Sequence, residues 1–499
     1  MHANLPESVR IYRRPGFVVA CFAVICLAWA FVVAPFGGPD EPSHFLRSAA
    51  MARGQLTGAP QPNKADGILY WETMVDLDPR FDAANAFPVC FRQNPSAPTC
   101  GFSFVTPGDE NRPATKPVQV DVGLYPPAPY LITAVGTVFG PRMWSLYAAR
   151  LCNAAACLVL LMFAYQSARR RPGLGEIGLL LILTPAIFFF ASTVNPSGLE
   201  LAGALAAWYL TVELWQQPVR TRRLSIQLAI ALSVCALARP LGPLLVGTII
   251  ACTVLASKLT VHEAILRLRQ RLVATAVVAA SVVVSVAWYL AKFSANTGRA
   301  LAGSVQVSAL DQLKQGVGFL PALLRDAVGN FGWLDTPAPF AAWFPWLVAL
   351  GVVGFFGLRN ASSQRLRVGA STALFAAAAV MLSALFQSYT LFHFPALQTR
   401  HYLPFALGFF VLVMDKVPAL TARGRTYALW AWAAAQIICL GQTARRYLYG
   451  LATPSHALAP GLAPWHPPLP IWGVVVLGAA AICGVAFSLQ APALTSTAT

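Results

Sequence analysis

Two adjacent carboxylates, an imidazole and a guanidinium stand close together near the amino end of the chain, in Gly37-Gly38-Pro39-Asp40-Glu41-Pro42-Ser43-His44-Phe45-Leu46-Arg47. An aspartate so placed can take a proton from an attacking hydroxyl. Paired carboxylates with a histidine can hold Mg²⁺ or Mn²⁺, and Asp40 and Glu41 are the ligands such a cation would use; a metal-free, acid-only site is equally open. An arginine can hold a phosphate that leaves with negative charge. The stretch reads as a short helix, with Asp40 or Glu41 capping it, Pro42 in its first turn and Gly54 just past its end. At about 100° per residue, Asp40, His44 and Arg47 share one narrow arc. A capped connector with incidental polar residues is the competing reading.

The elements that must position these groups are apolar. The chain of 499 residues is 57% hydrophobic and 11% charged, against roughly 25% charged in soluble domains. Runs of about 17 to 22 apolar residues are long enough to cross a bilayer as helices, and they lack the alternation of barrel strands. The expectation is an all-α polytopic membrane protein, one transmembrane domain over 16–488. Its twelve spans are 16–35, 144–166, 174–191, 197–215, 224–238, 241–256, 272–291, 340–358, 369–389, 403–414, 426–442 and 470–488. Residues 16–35 imitate a signal peptide, but the run is long for one and the acidic stretch follows at once.

The net charge of +17 is concentrated in alternate loops, at Arg10/Arg13/Arg14, Arg169/Arg170/Arg171, Arg220/Arg222/Arg223, Lys258/Arg267/Arg269/Arg271, Arg359/Arg365/Arg367 and Lys416/Arg423/Arg425. That is the positive-inside pattern, so the charge reports topology and membrane lipid, with no nucleic acid implied. Both termini, 1–15 and a disordered tail at 489–499, are then cytoplasmic in a plasma membrane.

Three long segments fall outside: 36–143, 292–339 and 443–469. The first contains Tyr125-Pro126-Pro127-Ala128-Pro129-Tyr130 and an apolar stretch, 130–140, that suits an interfacial helix. It also holds Cys90 and Cys100, which can pair in an oxidising compartment; the other eight cysteines lie in apolar runs and read as inert. The remaining unusual polar residues gather on the same outer side. Asn195 lies between spans three and four, Arg239 between five and six, Trp333 and Asp335 before eight, and Gln398-Thr399-Arg400-His401-Tyr402 before ten. Capping for Asn195, snorkelling for the arginines, an aromatic belt for Trp333 and a plain loop position for His401 compete with a site.

These motifs together give a resemblance. Pro39-Asp40-Glu41-Pro42-Ser43-His44-Phe45, Tyr125-Pro126-Pro127, Gly332-Trp333-Leu334-Asp335-Thr336, Gln398, Arg400 and Pro404 resemble the GT-C superfamily of polytopic glycosyltransferases. More closely, they resemble the bacterial family catalogued as domain of unknown function 2142. The chain departs from that pattern at His401, Ser197 and Arg239. The resemblance implies Asp40 as catalytic base, with Glu41 and His44 orienting it or holding a cation. It implies donor-phosphate or substrate contacts from Arg47, Tyr125, Asn195, Arg239, Trp333, Asp335, Gln398, Arg400, His401 and Tyr402. The reaction expected is transfer of a sugar from a polyprenyl-phosphate donor to a glycan or lipid-linked acceptor of the cell envelope, outside the bacterial inner membrane. Two alternatives stand beside it: a transporter or flippase for an anionic or lipid-linked precursor, and an inactive scaffold. A transporter would need polar groups at mid-membrane depth, and Gln227 and Gln436 come nearest to that.

Overall fold

The structure is a computed structural model, and it describes residues 15–60, 73–104, 114–123, 125–216, 222–294, 308–392, 398–418, 420–451 and 464–490. The terminal segments at 1–14 and 491–499 lie outside the described residues. Helices dominate. Following α1 (Pro15–Val32) come α2 (Glu41–Met51), the single turn α3 (Ala83–Ala86), α4 (Ala128–Thr137) and α5 (Met143–Ala168). The middle of the chain forms α6 (Gly175–Ile182), α7 (Pro185–Ala191), α8 (Pro196–Gln216), α9 (Arg222–Ala238), α10 (Gly242–Ala256), α11 (Val261–Arg269) and α12 (Leu272–Ser294). The last third forms α13 (Ala309–Asp326), α14 (Phe340–Arg359), α15 (Gln364–Phe392), α16 (Thr399–Val413), α17 (Ala422–Tyr449) and α18 (Ile471–Gln490). Six of the described helices are long and apolar enough to cross a membrane: α1, α5, α12, α14, α15 and α18.

Helix α8 is the hub. All its described residues but the last are buried, which is what a helix apolar on every face requires. It packs against α5, α9, α10 and α16, while α1 packs against α5 and α18.

Several boundaries differ from the sequence expectation for identifiable reasons. The span expected over 174–191 is two helices, because Pro185 lacks the N–H that would continue the ladder. The carbonyls freed at the break are taken up by side chains. Trp432 Nε1 and Gln436 Nε2 donate to the Leu183 carbonyl at 2.9 and 2.8 Å, and Trp346 Nε1 donates to that of Leu181. Gln436, one of the two polar groups a transporter would need, is therefore occupied in closing the break. The other, Gln227, donates to Gln166 at 3.1 Å. The span expected at 403–414 starts earlier, so Arg400, His401 and Tyr402 lie in the first turn of α16 and not in the loop before it. The span expected at 426–442 runs on to Tyr449, which brings Arg446 into a helix. The one expected at 369–389 is longer at both ends.

The polar segment 36–143 carries more structure than the all-α expectation allows. Strands β1 (Ala59–Pro60), β2 (Thr73–Leu77) and β3 (Lys116–Val120) form an antiparallel sheet in that order, with Val75 opposite Val118. The alternation in β2 places Val75 and Leu77 inward, against α2. A disulfide joins Cys90 to Cys100. A second small hairpin, β4 (Asn330–Phe331) with β5 (Thr336–Pro337), precedes α14.

The two ends of the bundle are chemically unlike. At one end lie Arg169, Arg170 and Arg171, at the close of α5, with the starts of α9 and α17 and the ends of α10 and α14. There Arg171 pairs with Asp415 at 2.6 Å and Arg170 with Glu213 at 2.8 Å. At the other end lie the end of α1, all of α2, the starts of α8 and α16, the turn between α9 and α10, and the β4–β5 hairpin. Every candidate residue read from the sequence is at this second end.

Candidate active site

Helix α2 is the floor of the site. The chain leaves α1 through Gly37-Gly38-Pro39, a turn that needs its first glycine. The Tyr447 hydroxyl donates to the Gly37 carbonyl at 2.8 Å, and any Cβ at Gly37 would collide with that ring. Asp40 follows in the left-handed region, at φ 60°, uncommon for a residue with a side chain. Its carboxylate makes no cap to the helix, contrary to the expected N-cap, and is turned instead toward α16. Glu41 does not cap the helix either: its Oε2 accepts the N–H of Gly38, three residues back, at 3.1 Å.

Glu41 is fully committed to structure. Arg150 grips both its oxygens, Nε to Oε1 at 2.8 Å and Nη2 to Oε2 at 2.7 Å, and Val194 N–H donates to Oε1 at 3.0 Å. The remaining Arg150 donors reach the carbonyls of Ala30, Val33 and Ala34 at 2.8, 2.7 and 2.7 Å, groups left unpaired where α1 ends. All five guanidinium donors are satisfied, and both side chains are wholly buried. The pair staples α1, α2, α5 and the start of α8 into one unit. This corrects the reading of Glu41 as an orienting group or metal ligand, since no oxygen of it is left for either role. Among the described residues no cluster of three His, Cys, Asp or Glu side chains is placed to hold a metal ion. The donor set also does not suit a cation, because two guanidinium groups flank the one open carboxylate.

Asp40 is that open carboxylate. Its side chain is 40% exposed, whereas those of Glu41, Glu200 and Asp335 are 0%, 3% and 6% exposed. Arg400 donates to Asp40 Oδ2 through Nη2. Its Nε and Nη1 are buried without partners, and its guanidinium lies 5.8 Å from the centre of the Phe190 ring. Burial alone would raise the Asp40 carboxyl. The positive charge of Arg400 and its hydrogen bond, with a smaller contribution from Arg239, outweigh it and hold the group below its ordinary value.

Arg239 stands in the turn between α9 and α10, which is tight because a Cβ at Gly242 would meet the Cys235 carbonyl. Its Nη1 is shared between Glu200 Oε2 at 3.1 Å and the Arg400 carbonyl at 3.0 Å, and its guanidinium faces the Tyr125 ring at 5.8 Å. Arg239 thus braces the turn that carries Arg400, and Glu200 balances its charge. His44 Nδ1 and the Tyr130 hydroxyl are 2.9 Å apart, and Tyr125 meets the imidazole edge-on. Burial pushes His44 down to about 3, against the opposing pull of Asp40 and with Arg400 and Arg239 adding to the effect. His44 is therefore neutral at ordinary pH. Arg47 lies a turn further along α2, its guanidinium 5.9 Å from the centre of the Tyr130 ring and its Nη2 on the Leu56 carbonyl.

The other expected contacts divide. Asn195 caps α8, accepting the Ser197 N–H at 2.9 Å and donating to the Pro39 carbonyl at 2.9 Å. Trp333 Nε1 donates to the Phe36 carbonyl at 3.1 Å. Asp335 is held by Arg446 at 2.9 Å, and Arg446 also binds the carbonyls of Phe91, Asn94 and Ala97, tying the disulfide loop to the hairpin. Asn195 and Trp333 thus hold the turn from Phe36 to Pro39 that precedes Asp40. Gln398 Oε1 and His401 Nδ1 are buried and unpartnered. Tyr402 donates to the Leu323 carbonyl and lines an apolar cavity of about 230 Å³ between α13, α14, α15 and α16. Leu320, Leu350, Met381, Ala406 and Phe410 also line it. Sequence reasoning missed Arg150, Glu200, Arg446 and Tyr130. A lone charge inside an apolar run, as at Arg150 and Glu200, was the available signal.

The fold and site define a polytopic, mainly helical membrane protein with a carboxylate–guanidinium centre at one end of its bundle. The chain belongs to the DUF2142 family of predicted membrane proteins, whose model matches residues 22–409. A comparison with curated proteins finds no match. Among solved structures the chain is similar to ArnT from Cupriavidus metallidurans bound to undecaprenyl phosphate, at 15% identity and a TM-score of 0.46 over 95% of this chain and 77% of that one. It is also similar to the oligosaccharyltransferase of Archaeoglobus fulgidus in complex with Zn and sulfate, at 12% identity and a TM-score of 0.38 over 86% and 53%.

Proposed function

We propose that the chain is an integral-membrane glycosyltransferase of GT-C type. It moves a sugar from a polyprenyl-phosphate donor to a cell-envelope acceptor on the extracytoplasmic side of a bacterial inner membrane. The observation that carries this reading is the Asp40–Arg400 pair. It combines the one accessible carboxylate of the site with a buried guanidinium that keeps two donors unpartnered.

The chemistry follows from those two groups. Asp40 takes the proton from an acceptor hydroxyl, and the freed oxygen attacks the anomeric carbon of the donor sugar. The bond from that carbon to the phosphate oxygen breaks, and the lipid phosphate leaves carrying the electron pair. Arg400 receives the developing charge through Nε and Nη1, with Arg239 holding it in place. Neutral His44, fixed by Tyr130, orients the acceptor. The apolar cavity beginning at Tyr402, two residues from Arg400, gives the polyprenyl tail a path between α13 and α15. The basic clusters at the far end of the bundle support placing that end in the cytoplasm and the site outside.

The test is sugar transfer from a polyprenyl-phosphate donor in membrane fractions containing the full chain. Transfer lost in Asp40→Asn and retained in the wild type is the expected result. Movement of a lipid-linked substrate across liposomes without chemical change would replace this reading with a flippase, and unchanged envelope phenotypes in Asp40 and Arg400 variants would replace it with a scaffold.

A further inference from the structure

A small cleft opens where α7, the end of α13, the β4–β5 turn and the start of α16 meet. Phe190, Asp326, Asn330, Leu334, Gln398 and Thr399 line it, and its room of about 10 Å³ suits one water-sized group. The cleft adjoins the Asp40–Arg400 pair. Its Phe190 ring lies 5.8 Å from the Arg400 guanidinium, and Gln398 and Thr399 are the two residues before Arg400, at about 3.8 Å per Cα step. The partnered polar atoms are committed to one another. Asp326 Oδ1 accepts from Arg325 Nε at 2.9 Å, and Oδ2 accepts from Asn330 Nδ2 at 3.0 Å. Thr399 Oγ1 donates to the Asp326 carbonyl. Acceptors are left over: Asn330 Oδ1 and Gln398 Oε1 are buried and have no partner among the described residues. The Asn330 amide cannot turn round, because its nitrogen is the donor to Asp326. Leu334 enters the cleft wall from a left-handed backbone, φ 63°, which a leucine rarely adopts and which concentrates at ligand sites. Arg325 balances the charge of Asp326 at 2.9 Å, so the cleft asks for a neutral hydrogen-bond donor and not for a cation.

We infer that this cleft receives one hydroxyl of the donor sugar, with Asn330 Oδ1 and Gln398 Oε1 as its acceptors. The inference rests on the glycosyltransferase reading, in which Arg400 holds the donor phosphate. The donor sugar is assigned because it is bonded directly to that phosphate, and the cleft starts two residues from the arginine that holds it. A neutral sugar with a free hydroxyl at the position that enters is the class selected. A deoxy sugar would leave both acceptors unpaired, and an O-alkyl group would exceed the room. Sites built to bond a hydroxyl discriminate strongly against analogues that lack it.

The test is thermal unfolding of the purified full chain in nanodiscs, titrated with undecaprenyl phosphate and with its glucosyl, galactosyl and mannosyl derivatives. The wild type should respond to the bare lipid phosphate, and to at least one glycoside at a concentration about tenfold or more lower, the worth of one good hydrogen bond. Gln398→Met and Asn330→Ala should keep the bare-lipid response and lose the glycoside advantage. The ligand-free midpoint is a second readout. Gln398→Met removes an unpaired buried acceptor, so its midpoint should equal or exceed that of the wild type, whereas a merely structural glutamine would lower it. If Asn330→Ala does not fold for want of its bond to Asp326, Gln398→Met carries the test alone. Glycosides that bind the wild type no better than the bare lipid, or an advantage that survives in Gln398→Met, overturn the subsite and leave the transferase reading to its own assay. No response to any of these lipids removes the donor reading itself, and the subsite with it.

Discussion

The carboxylate of Asp40 and the guanidinium of Arg400, 360 positions apart in the chain, are joined as an ion pair at one end of the helix bundle. Asp40 is held in a left-handed turn between α1 and α2, and Arg400 in the first turn of α16. The first keeps access to the outside of the protein and the second does not. An accessible carboxylate and a buried guanidinium are thus in contact before any substrate arrives.

Asp40→Asn should lower sugar transfer by about 10²–10⁴-fold, the range for loss of a general base. Its thermal midpoint should fall as well, because the buried Arg400 guanidinium loses its counter-charge. Membrane assays with a polyprenyl-phosphate sugar, run beside thermal unfolding of the same preparations, separate the two effects.

The pH dependence has a defined sign. Arg400 holds Asp40 below its ordinary value of 3.8, so the carboxylate stays ionised throughout the neutral range. The acid limb of the wild-type rate should lie below pH 3.8, and in the residual activity of Arg400→Gln it should move upward. His44 acts on stability. Its value falls from 6.5 to about 3 on folding, so the unfolded chain binds the proton first as pH drops. The stability it contributes is complete above 6.5 and is lost progressively toward 3. His44→Gln should flatten the acid side of a stability–pH curve, and an unchanged curve would remove His44 from that role.

Glu41→Gln and Arg150→Met should each destabilise the protein strongly, by about 3–5 kcal/mol, because each leaves a buried charge without its partner. The double variant should recover much of that loss. Denaturation midpoints of the four proteins form the cycle, and simple additivity would mean that the two side chains do not act as a unit.

Filling the apolar cavity should affect the lipid donor selectively. Ala406→Trp should raise KM for a long-chain polyprenyl-phosphate sugar several-fold and change kcat less. A donor with a truncated tail should be nearly indifferent to the substitution. Equal effects on both donors would place the tail elsewhere.

Removing divalent cations with a chelator should leave transfer unchanged, since Glu41 is consumed by Arg150 and Asp40 is flanked by guanidinium groups. Loss of activity restored by added Mg²⁺ or Mn²⁺ would reinstate a metal role for Asp40.

The sequence by itself determined the medium and the chemical unlikeness of the bundle's two ends. Apolar runs of membrane length and basic clusters in alternate loops are local properties, legible because a bilayer penalises each segment independently. It also marked Asp40, Arg239 and Arg400, since charged or proline-flanked residues at the ends of such runs stand out. It did not separate Asp40 from Glu41, two like side chains in one motif. Only the tertiary structure made one an accessible carboxylate and the other a buried staple, because the difference lies in Arg150, a residue more than a hundred positions away. The same holds for Glu200 under Arg239, Arg446 under Asp335, and the sheet built from three short, polar strands. Pairing of buried charges is a property of where distant segments meet, and a one-dimensional pattern does not contain that meeting.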